Sequence, residues 1–149
     1  MHLAYQQLKL AKYPQLLHAH VPTVNKNSKD VAASTQEQQF LLKLAEAYRT
    51  YDAFVIEKYL ADDMHFSSIW AYPEIESRHL YLNCLCGVLQ RMKWYRARLK
   101  FELVEGRWHE YGLLITNVKA PGGGYGGFVA DFNAEGKVCL LTQTQRSFF

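Results

Sequence analysis

The stretch YLADDMHFSSIW, residues 59–70, is where a helical pattern gives way to an alternating one. Just before it, Val55, Ile56, Tyr59 and Leu60 share one side of a short helix, and Asp52 is placed to cap that helix by accepting a backbone N–H of its first turn. The helix stops near Ala61–Asp63. Residues 64–70 then read as a strand, with Phe66, Ser68 and Trp70 on one face and His65 and Ser67 on the other. Two adjacent carboxylates, a histidine, two serines and a tryptophan at such a junction raise one question: does the cluster carry chemistry, or does it line a wall?

Helices flank this junction. From Gln36 onward, Phe40, Leu44, Ala47, Tyr48 and Tyr51 recur at spacings of three and four, one face of an amphipathic helix. On the other side PEIESRHLYLNCLCGVLQRMK reads as a third helix. Pro73 suits its first turn, Glu74 and Glu76 complement its positive end, and Arg91 and Lys93 its negative end. Ile75, Leu82, Cys86 and Leu89 mark its buried stripe. Ahead of Gln36, VPTVNKNSKDVAASTQ is polar and without period, and MHLAYQQLKLAKY allows only a short helix ending before Pro14. Residues 1–35 therefore read as an arm or accessory helix, and residues 36–149 as one domain.

The remainder reads as antiparallel sheet. Strands near 95–104 and 107–118 meet at EG, and strands near 125–133 and 137–146 meet at NAEG. If Gly106 and Gly136 each take the left-handed position of a three-residue loop, Leu103 pairs with Arg107 and Phe132 with Val138. The inner face of the first hairpin then holds Ala97, Leu99 and Phe101 beside His109, Tyr111, Leu113 and Ile115. That of the second holds Phe128, Ala130, Phe132, Val138, Leu140 and Thr142, which leaves Val129, Cys139 and Leu141 outside. A plain two-residue EG turn would put Glu110 among apolar residues, which disfavours it.

Composition excludes several classes. The chain has 149 residues, nearly half of them hydrophobic and 14% aromatic, without the long apolar run of a membrane helix. Its net charge of +3 is scattered along the chain, so neither nucleic acid nor membrane is expected as a partner. Cys84, Cys86 and Cys139 make an odd count, and the first two point to nearly opposite sides of their helix, as reduced cytoplasmic thiols would. The N-terminus lacks the apolar core and cleavage site of a secretory signal. No metal or cofactor is expected: His65, His79 and His109 show no ligand spacing, and PGGGYGG (121–127) lacks the Lys-Ser/Thr and following helix of a phosphate loop. WYRARLK (94–100) interleaves aromatic and basic residues, but Arg96, Arg98 and Lys100 alternate with core positions and read as a solvated strand face.

Three helices, a strand before the third, and a meander of long strands resemble the order of the nuclear transport factor 2-like superfamily, which includes ketosteroid isomerases and SnoaL-like polyketide cyclases. YLADDMHFSS resembles the run of the second helix into the first strand in that family, and FNAEGKV (132–138) its last hairpin. The resemblance covers about residues 36–146 and implies an α+β fold: a cone-shaped curved antiparallel sheet wrapped around three N-terminal helices, with a pocket at the open end. It places the isomerase general base at Ser68, the oxyanion-donating tyrosine at Leu44 and the protonated aspartate at Phe128. A serine with no adjacent base cannot abstract a carbon-bound proton, so isomerase chemistry is not expected. The same alignment turns Phe66, Ser68 and Trp70 inward, with Trp70 at the cavity mouth.

ADD is thus expected to be a solvated or capping corner, followed by one wall of a cavity. Tyr48, Phe66, Ser68, Trp70, Tyr111 and Phe128 are its expected ligand-binding residues, with His109 and Tyr111 the candidate catalytic groups, because histidine exchanges protons near neutral pH. Two functions remain open: binding of, or catalysis on, a small apolar or aromatic compound, and a noncatalytic module acting as subunit or inhibitor of another protein. A homodimer through Val129, Cys139 and Leu141 is also expected.

Overall fold

A computed structural model describes residues 35–69, 74–119 and 124–144. The expected arm, residues 1–35, and Trp70 lie outside the described residues, apart from Thr35. Thr35 opens α1 (Gln36–Thr50) with a reciprocal cap: its hydroxyl accepts from the Gln38 N–H while the Gln38 side chain accepts from the Thr35 N–H. Phe40, Leu41, Leu44, Ala47 and Tyr48 form the buried face of α1. Asp52 caps the next element as expected, its carboxylate accepting from the Phe54 N–H, but that element is a 3₁₀ helix, Ala53–Tyr59.

β1 (Leu60–Ser68) starts earlier than the alternation suggests and contains the ADD residues. Leu60 pairs with Val138 and His65 with Leu140, so four residues of β1 lie opposite one of its neighbour, and Asp62 and Asp63 sit exposed in that bulge. Asp62 takes an ion pair with Arg78 at 2.7 Å instead of capping a helix. α2 (Arg78–Trp94) begins five residues beyond Pro73, where the Ser77 hydroxyl accepts from the Leu80 N–H. Ile75 is therefore not in the helix: it bridges Phe66 in extended conformation through two backbone hydrogen bonds of 2.8 and 3.0 Å. The buried stripe shifts accordingly, to Tyr81, Leu82, Leu85, Leu89 and Met92, with Cys86 half-buried.

The remaining strands are β2 (Leu99–Glu105), β3 (Tyr111–Asn117), β4 (Gly124–Phe132) and β5 (Val138–Thr144), in the order β1-β5-β4-β3-β2. The sheet is mixed, because β1 runs parallel to β5 while the other pairs are antiparallel. Arg96 and Arg98 precede β2, so strand alternation does not govern them.

The first hairpin corrects the expected turn. Leu103 pairs with Leu113, and residues 106–110 form the loop. Gly106 is not left-handed. It is required because a Cβ there would lie 2.2 Å from the His109 carbonyl oxygen. Relative to the expected pairing the register moves by an even number of residues, so Leu99, Phe101, Leu103, Tyr111, Leu113 and Ile115 still share the core face.

In the second hairpin Gly136 is left-handed (φ 76°) and Phe132 pairs with Val138, as read from the sequence. The next pair is Asp131 with Leu140, so Cys139 is an extra residue. This bulge flips all that follows: Leu141 enters the core, while Leu140 and Thr142 join Val129 and Asp131 on the opposite face. Val129 is itself buried and Leu141 fully so, which removes the exposed apolar cluster on which the homodimer was argued. Cys84, Cys86 and Cys139 are free thiols. Among the described residues no helix is long and apolar enough to cross a membrane.

Candidate functional site

Two clusters contain the expected site residues that lie among the described ones. The first lies inside. Tyr48 from α1 packs against Phe128 of β4 with ring centroids 5.8 Å apart, and Phe66 of β1 packs on Tyr81 of α2 at 4.7 Å. Ser68 is buried on the same strand as Phe66 and pairs with Gln143, which in turn pairs with Phe128. Leu44 is fully buried, so the three positions that would carry isomerase chemistry are interior here, and they hold Leu44, Ser68 and Phe128.

Tyr81 is the residue that sequence reasoning missed. It is 2% exposed, and its hydroxyl has no hydrogen-bond partner. Burial, with the nearby Tyr48 and Cys84 adding to it, pushes the phenol well above its ordinary range, so the group stays a neutral O–H. The signal was present in the sequence: Tyr81, Leu82, Leu85, Leu89 and Met92 follow helical spacing, once the helix is not started at Pro73.

The second cluster sits by the two hairpins. His109 does not face Phe66 and Phe128. Its Nε2 lies 3.0 Å from Oδ1 of Asp131, the buried carboxylate among the described residues. The Tyr111 backbone N–H donates to Oε2 of Glu37 at 3.0 Å, which ties the start of α1 to β3. The Tyr111 side chain is half-buried against the core. Burial disfavours a charged His109, but the hydrogen bond to Asp131 and the charges of Asp131 and Glu37 outweigh it and raise the imidazole above its usual range. Nδ1 of His109 is buried without a partner, so this histidine presents no open nitrogen for proton transfer.

The chemistry each cluster allows follows. The interior one offers aromatic surface and neutral hydroxyls, with no carboxylate or imidazole among its described residues to act as base. The hairpin cluster is the His109–Asp131 ion pair with Glu37 beside it, drawing together the loop ahead of β3, β4 and the start of α1, and it leaves Nδ1 of His109 unpartnered. No group of three or more His, Cys, Asp or Glu among the described residues is arranged to hold a metal ion.

No protein-family model matches the chain, and no curated protein is similar to it in sequence. Solved structures are similar in fold. A SnoaL-like protein of unknown function from Burkholderia thailandensis superposes with a TM-score of 0.54 at 16% identity, over 74% of this chain and 95% of that one. A steroid delta-isomerase from Pseudomonas aeruginosa gives 0.56 at 12% identity, over 77% and 82%. An uncharacterised cystatin-fold protein from Novosphingobium aromaticivorans gives 0.50 at 13%, over 74% and 97%. At these identities the likeness establishes the nuclear transport factor 2-like fold, and the fold alone.

Proposed function

We propose that this chain, which has the nuclear transport factor 2-like fold, binds a small apolar or aromatic compound at the interior cluster, with Tyr81 donating a hydrogen bond to an acceptor such as a carbonyl. The observation that carries this reading is the Tyr81 hydroxyl, buried without a partner, on a ring that packs against Phe66 and lies near Tyr48. Burying a hydroxyl unpaired costs about 1 to 3 kcal/mol, and a ligand acceptor would recover it. Apolar walls with few polar groups are the usual character of ligand sites. The reading is of binding in place of isomerisation, since Ser68 supplies no base.

The test is a thermal-shift screen of steroids, polyketides and aromatic acids. A true ligand at a hundredfold excess over its Kd stabilises the fold by about 2.7 kcal/mol, an easily read shift. No shift with any compound at saturation would count against the reading. A noncatalytic interaction module is the second reading, and the closeness of the interior packing favours it: Tyr48 and Phe66 are 4% and 7% exposed and Phe128 is fully buried.

A further inference from the structure

The turn between α2 and β2 carries the most exposed aromatic side chains among the described residues. Trp94 and Tyr95 are 83% and 76% exposed, and Val118 at the end of β3 is also open to solvent. The turn is held firmly. Met92 beneath it is buried, the Tyr95 N–H donates to the Arg91 carbonyl and the Ala97 N–H to that of Met92, and Arg96 is left-handed (φ 50°). Lys119 donates to the Arg96 carbonyl at 3.1 Å and the Val118 N–H to that of Arg98 at 2.9 Å, so the end of β3 belongs to the same corner.

This corner gathers Arg91, Lys93, Arg96, Arg98 and Lys119, all exposed, and the sequence holds no acidic residue between Glu76 and Glu102. The negative end of α2 accounts for Arg91 and Lys93. It does not account for the other three cations or for two bare aromatic rings. A modest net charge of +3 conceals this local concentration.

We propose that the corner docks on an anionic membrane surface, with Trp94 and Tyr95 entering the headgroup layer and the surrounding cations meeting lipid charge. Tryptophan and tyrosine have an apolar body and a polar tip that suit that layer, and clustered Lys and Arg are drawn to anionic leaflets. Single-stranded nucleic acid, the other anionic partner with a use for aromatics, is stacked along a groove. Rings more than three quarters open stand on a protruding corner, not in a groove wall. Residues 1–34 do not complement the patch in charge, since they carry four lysines and a single aspartate.

The test is co-sedimentation of the full chain with vesicles of phosphatidylcholine alone and of phosphatidylcholine enriched in phosphatidylserine. The expected result is binding to the second only, weakened by salt. Arg96→Glu with Arg98→Glu should reduce it by about tenfold or more, as each cation near such a surface contributes roughly a fivefold factor. Trp94→Ala with Tyr95→Ala should also reduce it, with urea midpoints of both variants unchanged. Failure to bind anionic vesicles, equal binding to neutral ones, or wild-type binding by both variants would overturn the proposal. So would capture of oligothymidylate that the same variants abolish while anionic vesicles stay unbound.

Discussion

Nε2 of His109 stands 3.0 Å from Oδ1 of Asp131, which joins the loop ahead of β3 to the far end of β4. Glu37, at the start of α1, accepts the Tyr111 N–H beside them. Three elements thus meet at one buried electrostatic centre.

That centre sets a pH dependence. The folded-state pKa of His109 is raised, net of an opposing contribution from burial, by Asp131 and Glu37. Its contribution to stability is therefore complete below the unfolded value of about 6.5 and is lost as pH rises through the folded value. Glu37 is raised by burial, with Glu110 and Asp131 adding to it, against the Tyr111 hydrogen bond and His109. Its contribution is likewise complete below the usual glutamate value of about 4.3 and is lost as pH rises from there, a separate decline within the acid range. Urea midpoints should fall from about pH 6.5 upward, and His109→Gln should flatten that limb. A wild-type midpoint that rises across it would contradict the assignment.

Removing the partner tests the same pair in another way. Asp131→Ala leaves a buried ring nitrogen unsatisfied and should cost about 1 to 3 kcal/mol near neutral pH, measured by urea unfolding. A loss under about 0.5 kcal/mol, typical of surface changes, would mean the pair is held no more firmly than a surface one.

Gly106 and Gly136 should respond differently to alanine. At Gly106 the new Cβ meets the backbone of its own loop at 2.2 Å, so the turn must rearrange and His109 with it. At Gly136 the obstacle is the far end of the Gln36 side chain, together with a left-handed backbone. Gly136→Ala should cost about 1 kcal/mol, mostly through backbone strain. Gly106→Ala should cost more and also shift the pH dependence, which comparison of denaturation at two pH values would read.

The bulge at Cys139 has its own test. Leu141→Ala should cost about 2 to 5 kcal/mol, the range for a fully buried leucine. A cost below about 1 kcal/mol would return Leu141 to the outer face and remove the bulge.

The sequence carried what depends on local period and turn chemistry. Phe40, Leu44 and Tyr48 gave the inner face of α1, and Asn133 with Gly136 gave the last hairpin, where Asn133 Oδ1 accepts from the Glu135 and Lys137 N–H groups. Phe66, Ser68 and Phe128 are interior, as the family resemblance implied. What could not be read depends on one residue more or less. An extra Cys139 turns Leu140 outward and Leu141 inward, and a five-residue loop in place of a three-residue one carries His109 to Asp131. Starting α2 at Pro73 instead of after Ser77 set the stripe by Ile75, and so hid Tyr81. In each case two placements satisfy the local pattern, and long-range pairing chooses between them.

The central claim is that Tyr81 holds its hydroxyl for a ligand. Its most direct test is the affinity of wild type and of Tyr81→Phe for the best compound from the screen, measured by titration calorimetry with urea midpoints alongside. The account predicts a midpoint equal to or above that of wild type, because an unpaired buried hydroxyl is removed, together with affinity weakened by about tenfold or more. Equal affinity in the two proteins, or a variant destabilised by the loss of the hydroxyl, would contradict it.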